Sequence, residues 1–280
     1  MDIVKGYFDY NISDKCVISG KFENVVKNLY ELGYRTIAIN QTIEEANLDE
    51  STESKKKKKI DKVELVPAPL EFKFEECKDL KVLNRLTIAF SNQDIITRII
   101  KSSNYKKYHI IAAQPENQQA FQYVCSTMEV DIFSFDPNRK CNYKMQRKLY
   151  YQLVEKDVYF ELMYAPAIED STKRKNIIAT AHAYHSFGKS KNIIISSATT
   201  NDFLTRSPYD VINLGLIFGL SEGQAKDALF TNGRKLYIRA IGRRLGKTIM
   251  IVENRLGQEQ HETEDEEMEL AQPAQKKSKQ

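Results

Sequence analysis

Apolar and polar positions along this chain follow two periods that take turns. GYFDYNI reads as a first short strand, ending near Asp9. In KFENVVKNLYELGY, Phe22, Val25, Val26, Leu29 and Leu32 then share one helical face, and Gly33 closes the helix. YRTIAIN, residues 34–40, is strand two. The alternation resumes with strand three at 83–90, a helix at 94–101, strand four at 108–114 and a helix at 116–128. Strand five covers 130–136, with a helix at 143–155. VYFELMYAP is strand six, with a helix at 171–187, and KNIIISSAT is strand seven. Ser207-Pro208-Tyr209-Asp210 and Ser221-Glu222-Gly223-Gln224 are helix starts with an N-cap serine and an N3 partner. A basic amphipathic stretch at 234–247 follows.

Strands alternating with helices at this spacing imply a parallel sheet, and seven strands over this length favour closure. The expected fold is an α/β TIM-like barrel of seven parallel strands with extra helices, over residues 1–252. Two segments interrupt the pattern. Residues at about 43–62 hold few large apolar side chains and read as a flexible insertion ending in Lys55, Lys56, Lys57, Lys58 and Lys59. Residues 253–280 read as a disordered acidic tail with a terminal basic cluster. The lysine run admits two readings, a nuclear import signal or a nonspecific electrostatic arm.

Charge sharpens this picture. The 280-residue chain carries a formal net charge of +4. The tail holds eight acids and four bases, which leaves 38 bases against 30 acids on the body. A basic body suits a nucleic-acid partner. Cys16, Cys77, Cys125 and Cys141 lie far apart without a C-x-x-C pair, as expected of reduced, unpaired thiols. The N-terminal MDIVKGYFDY shows no secretory pattern, and the longest apolar stretch, 211–220, is too short to span a bilayer. No membrane partner is expected.

A barrel raises the question of an enzyme. Metal-dependent hydrolases of the polymerase-and-histidinol-phosphatase (PHP) type place an H-x-H pair after strand one, because imidazoles and carboxylates ligate zinc-like ions. Here that strand ends Asp9-Tyr10-Asn11. His109 starts strand four, at the end opposite to catalysis. His182 and His185 lie on a helix, at a spacing that suits either a metal or plain exposure, and His261 is in the tail. No G-x-S-x-G elbow or phosphate-cradling glycine loop is found. Ser196-Ser197 has no evident base, and Cys16 has no evident partner. Glu161 interrupts an apolar strand. It either pairs inside the barrel with Arg85 or Arg35, or is a functional carboxylate. No catalytic or metal-ligating residue is therefore expected, with a divergent metal-dependent phosphoesterase of the PHP type as the alternative.

The loops carry positive charge instead: Lys173, Arg174 and Lys175 after strand six, Lys189 and Lys191 before strand seven, and Arg206 after it. Arg239, Arg243 and Arg244 lie near the domain's end. Arginine forks and helix N-termini bind phosphate well. Arg206 either clamps an anion or pairs with Asp202 or Asp210. The helix at 207–218 is apolar nearly all round and is expected to be buried under the helix at 222–230 or used at a protein interface.

ELMYAPAI, the Lys-Arg-Lys loop, KNIIISSAT and RSPYDVINLGLIFGLSEGQAKDAL together resemble the TIM-barrel protein subunit of ribonuclease P, shared in eukaryotes with ribonuclease MRP (the Rpp-thirty or Rpp-one family). The resemblance runs from about Tyr7 to Arg244. It implies a noncatalytic subunit of a ribonucleoprotein whose RNA removes the 5′ leader of precursor tRNA, with a relative that processes ribosomal RNA. It implies no cofactor in the protein and Mg2+ held by the RNA. The expected partners are the ribonuclease P and MRP RNAs and a small ferredoxin-like subunit, in the nucleus and nucleolus. Arg206 and the basic loop near Arg174 are the expected RNA contacts.

Overall fold

The computed structural model describes residues 6–45, 64–72, 74, 77 and 79–246. The lysine run at 55–59, Lys247, the tail at 253–280 and His261 lie outside the described residues. The described part belongs to the compact unit Met1–Thr248.

Seven parallel strands stand in sequence order, β1 (Tyr7–Ser13), β2 (Tyr34–Glu44), β3 (Lys81–Phe90), β4 (Ile110–Pro115), β5 (Ile132–Phe133), β6 (Tyr159–Met163) and β7 (Ile193–Ser196). The barrel is nearly closed. Ile12 of β1 bridges Thr199 just beyond β7, and the Ser13 N–H donates to the Thr199 carbonyl at 3.1 Å. Strands covered on both faces read as unbroken apolar runs, which is why YFELM of β6 and IIIS of β7 are buried at every position.

The helices follow as α1 (Lys15–Ile18), α2 (Phe22–Glu31), α3 (Gln93–Ile100), α4 (Gln118–Ser126), α5 (Arg147–Glu155), α6 (Ala165–Glu169), α7 (Ser171–Gly188), α8 (Pro208–Ile217), α9 (Glu222–Leu229) and α10 (Thr231–Leu245). Their starts obey capping chemistry. Asn92, Asn117, Asp170, Ser207 and Ser221 each accept a backbone N–H, and Ser221 with Gln224 forms a full capping box.

Four readings need correction. β2 continues to Glu44, so the insertion starts after it. β5 has only two paired residues, Ile132 and Phe133. The helix expected from 143 starts at Arg147, and the preceding residues form a loop. α8 is not apolar-buried all round. Val211, Ile212 and Gly215 face the core, but Leu216 and Ile217 are 47% and 60% exposed.

α10 plugs the bottom of the barrel. Its Leu236, Tyr237 and Ala240 pack beneath an inner layer of Phe8, Tyr10, Leu83, Ile110, Tyr159 and Ile194. The approach is close enough to need a glycine. A Cβ on Gly233 would sit 2.8 Å from the Phe8 ring, and the Tyr10 hydroxyl donates to the Gly233 carbonyl at 2.7 Å. The top of the barrel, where the strands end, is left to polar side chains.

Candidate functional site

The strand ends converge on one carboxylate. Glu161 of β6 faces inward and is fully buried. Arg85 of β3 forks onto it, Nη1 to Oε1 at 2.6 Å and Nη2 to Oε2 at 2.7 Å. Asn11 Nδ2 (3.0 Å), Ser196 Oγ (2.5 Å) and Ser134 Oγ (2.6 Å) donate to the same two oxygens. The ring of contacts continues. Arg85 donates through Nε to Thr87 Oγ1 and through Nη1 to the Tyr10 carbonyl, Thr87 donates to Asn40 Oδ1, and Asn40 donates to Asn11 Oδ1. Burial alone would raise the Glu161 pKa. The Arg85 charge and the convergent donors outweigh it and hold the carboxyl below its usual range. A carboxylate with every lone pair taken is no base or nucleophile. Of the two sequence readings, the pairing with Arg85 is the one the structure bears out. Arg35 instead lies over the Tyr30 ring at 4.3 Å and donates to the Tyr30 and Tyr34 carbonyls.

Asp9 is the second buried carboxylate of this layer. Its Oδ1 accepts the N–H groups of Ser197 (3.0 Å) and Asn11 (3.2 Å), while Oδ2 is buried without a partner. Burial pushes its pKa up to about 6, against the opposing pull of those hydrogen bonds. Above Glu161 the mouth opens into a cleft of about 210 Å³ lined by Asn11, Asn40, Thr87 and Ser134, with Lys15 and Lys173 at its edge.

The other enzyme candidates are quiet. Burial pushes the Cys16 thiol up to about 11 and the Cys125 thiol to about 12, so neither is a thiolate at neutral pH. His109 accepts the Asn84 N–H on Nδ1 and is lowered to about 4 by burial and by Arg244 and Lys81. His185 faces Ser190 Oγ at 3.3 Å, and His182 neighbours Gly219. Among the described residues no three of His, Cys, Asp and Glu gather as a metal-ligand set.

The predicted phosphate-binding residues divide. Arg239 and Arg243 are spent on a buried partner that the sequence did not reveal. Arg239 Nη1 meets Asp131 Oδ1 at 2.6 Å, and Arg243 Nη2 meets Oδ2 at 2.9 Å. They also donate to the Lys156 and His109 carbonyls. These two arginines fasten α10 to the barrel. Arg174 donates to the Ala167 and Ile168 carbonyls at the end of α6. Lys173 pairs with Glu169 at 3.2 Å. Arg206 pairs with neither Asp202 nor Asp210. It donates to the Phe203 and Thr205 carbonyls, both at 2.8 Å, while Asp210 takes the Ser207 hydroxyl. Lys175, Lys189, Lys191 and Arg244 are exposed. Lys191 lies over the Tyr151 ring at 5.2 Å. The sequence reading missed a further basic segment at 139–148, between β5 and the first turn of α5. Its signal was the bare count of cations.

The seven parallel strands form a nearly closed barrel, with a buried Arg85–Glu161 pair in the layer at its mouth and exposed cations on its surface. The sequence profile of the family described as RNase P subunit p30 matches residues 6–245. The chain belongs to that family. The mouse ribonuclease P protein subunit p30 is 32% identical over 218 residues, covering 76% of this chain and 78% of the mouse protein. The Saccharomyces cerevisiae ribonuclease P/MRP protein subunit RPP1 is 23% identical over 219 residues, covering 76% and 71%. A chain in the structure of archaeal ribonuclease P with mature tRNA superposes with a TM-score of 0.58 at 16% identity, covering 89% of this chain and 99% of that one, which bears out the fold.

Proposed function

We propose that this chain is a protein subunit of ribonuclease P that supports the RNA removing the 5′ leader of precursor tRNA, and that it is shared with ribonuclease MRP for ribosomal RNA processing. The family match across residues 6–245 carries this reading. The mouth chemistry supports a noncatalytic role, because Glu161 is saturated by Arg85, Asn11, Ser134 and Ser196. The metal ions of the reaction are then held by the RNA. The hydrolase alternative would have to use Asp9, whose Oδ2 is without a partner, because Glu161 is occupied by its donors.

The subunit works by holding structure. α10 and its two arginines lock the barrel bottom, and the exposed cations, Lys175, Lys189, Lys191 and Arg244 among them, meet phosphates. A small ferredoxin-like subunit is the expected protein partner, and the exposed apolar edge of α8 at Leu216 and Ile217 suits such a contact. The particle is nuclear and nucleolar, with the lysine run at 55–59 serving import.

Affinity purification of the tagged full chain from its own cells, with sequencing of the bound RNA, tests the proposal. One enriched structured noncoding RNA with precursor-tRNA cleavage in the eluate supports ribonuclease P, and a second related RNA adds MRP. An eluate without RNA would overturn it.

A further inference from the structure

Among the described residues, a dense run of exposed cations lies on a segment that neither the mouth nor α10 uses. Residues 136–151, DPNRKCNYKMQRKLYY, hold five cations and one acid, a net +4 that equals the charge of the whole chain. Arg139, Lys140, Lys144, Arg147 and Lys148 are all exposed. The single acid, Asp136, faces Arg139 at 3.6 Å and accepts from Asn138. Glu116, on the neighbouring loop, shares a small cleft with Arg139 and Lys140.

Beside these cations runs a groove of about 400 Å³ between the loop and α7. Its floor is Ala179 and Ala183, one turn apart, whose small side chains leave the space open. Tyr143, Met145 and Phe187 wall it, and Lys140 and Lys144 stand at its edge, with no acid in the lining. The loop is held in place. Asn176 Nδ2 donates to the Pro137 carbonyl at 3.0 Å and the Lys144 N–H to Gln118 Oε1 at 2.7 Å. The Tyr143 ring stacks on Phe121 with centroids 4.7 Å apart. From its edge the cations continue down α5, where Arg147 and Lys191 both lie over the Tyr151 ring, at 5.6 and 5.2 Å.

We propose that this loop and the outer face of α7 form a binding site for single-stranded RNA, with an unpaired base in the groove and its flanking phosphates on Lys140, Lys144, Arg147 and Lys148. The inference rests on the reading of the chain as a ribonucleoprotein subunit and adds the place where RNA is held. An apolar slot rimmed by cations needs an occupant that is flat, apolar and regularly anionic at once. A nucleotide strand supplies these together. A protein segment would have to pair an apolar face with dense acid.

The test titrates the full chain against a fluorescein-labelled uridine oligonucleotide of about 12 nucleotides, by anisotropy at several KCl concentrations. Lys140→Glu/Lys144→Glu should weaken binding about tenfold or more and lower the salt slope by about 1.4, the release expected for two phosphates on a single strand. Ala183→Leu fills the groove and keeps the charge. It should weaken binding by about fivefold or more through lost stacking, with the slope unchanged. Lys101→Glu/Lys106→Glu changes net charge equally at a distant surface and should stay within about threefold. Melting curves establish that each variant is folded. In the purified particle, ultraviolet crosslinking should leave an RNA adduct on the peptide containing Tyr143. Equal losses from the groove and distant pairs would overturn the proposal. So would crosslinks joining Lys140 or Lys144 to another protein without an RNA adduct. Absence of any RNA from the wild-type particle would instead strike the ribonucleoprotein reading, while the titration still judges the groove.

Discussion

The two ends of the barrel each bury a carboxylate beneath arginine, yet they do so differently. At the top, Glu161 and Arg85 are both wholly inside and form a closed, neutral cluster with uncharged donors. At the bottom, Asp131 is buried, but Arg239 and Arg243 retain 20% and 15% side-chain exposure and reach it from a separate helix. The top pair cancels both charges inside the barrel. The bottom set bolts an added helix over the open end. In both places a charge that looks functional in sequence is paired internally.

The sharpest way to break this comparison is to remove one side of the top pair. Glu161→Ala leaves Arg85 buried and uncompensated and should cost about 3–5 kcal/mol, lowering Tm by on the order of 10 °C. Arg85→Met with Glu161→Leu should recover much of that loss, because well-packed apolar side chains can replace a buried pair. If the single variant melts like wild type, the cluster is not what it appears from its geometry. Asp131→Ala comes next, at about 2–3 kcal/mol, since its arginines can still reach water. Thermal denaturation and limited proteolysis should show α10 released first.

Asp9 gives a third test, with a definite sign. Its folded-state pKa is raised from 3.8 to about 6, so the folded protein holds a proton that the unfolded chain releases. Its contribution therefore favours folding at low pH and is lost as pH rises between about 4 and 6. Asp9→Asn should be near neutral at pH 4 and stabilise by about 1–3 kcal/mol at pH 7, at about 1.4 kcal/mol per pKa unit. A stability gain that stays constant across that range would refute the assignment. The smallest effect is expected at Leu216→Asp, whose side chain is half exposed. Stability should change by about 0.5 kcal/mol or less, while copurification of a protein partner falls. A large drop in Tm would show that α8 is clamped after all.

The barrel was legible because strands covered on both faces leave unbroken apolar runs, and Glu161 stood out as a charge inside such a run. A pairing of Glu161 with Arg85 or Arg35 followed from the cost of burying it alone, and the fold selects Arg85. The bottom set was illegible. Arg239 and Arg243 sit 108 and 112 positions from Asp131, and helical period says nothing about a partner at that distance. The two-residue β5 was overextended because apolar residues continue past the last ladder bond. The groove beside α7 escaped notice for the opposite reason. Its cations lie in an aperiodic loop, where charge ordinarily means solvation, and only the fold brings Ala179 and Ala183 alongside them.

The measurement that bears most directly on the account is precursor-tRNA cleavage by particles purified through a tagged Asp9→Asn chain, normalised to bound RNA. Asp9 is a buried carboxylate in the Glu161 layer with one oxygen without a partner, and Asp9→Asn removes its capacity to act as a base. The proposed noncatalytic role predicts leader removal within about twofold of wild type. A loss of about a hundredfold or more with RNA content unchanged would place chemistry in the barrel and contradict it.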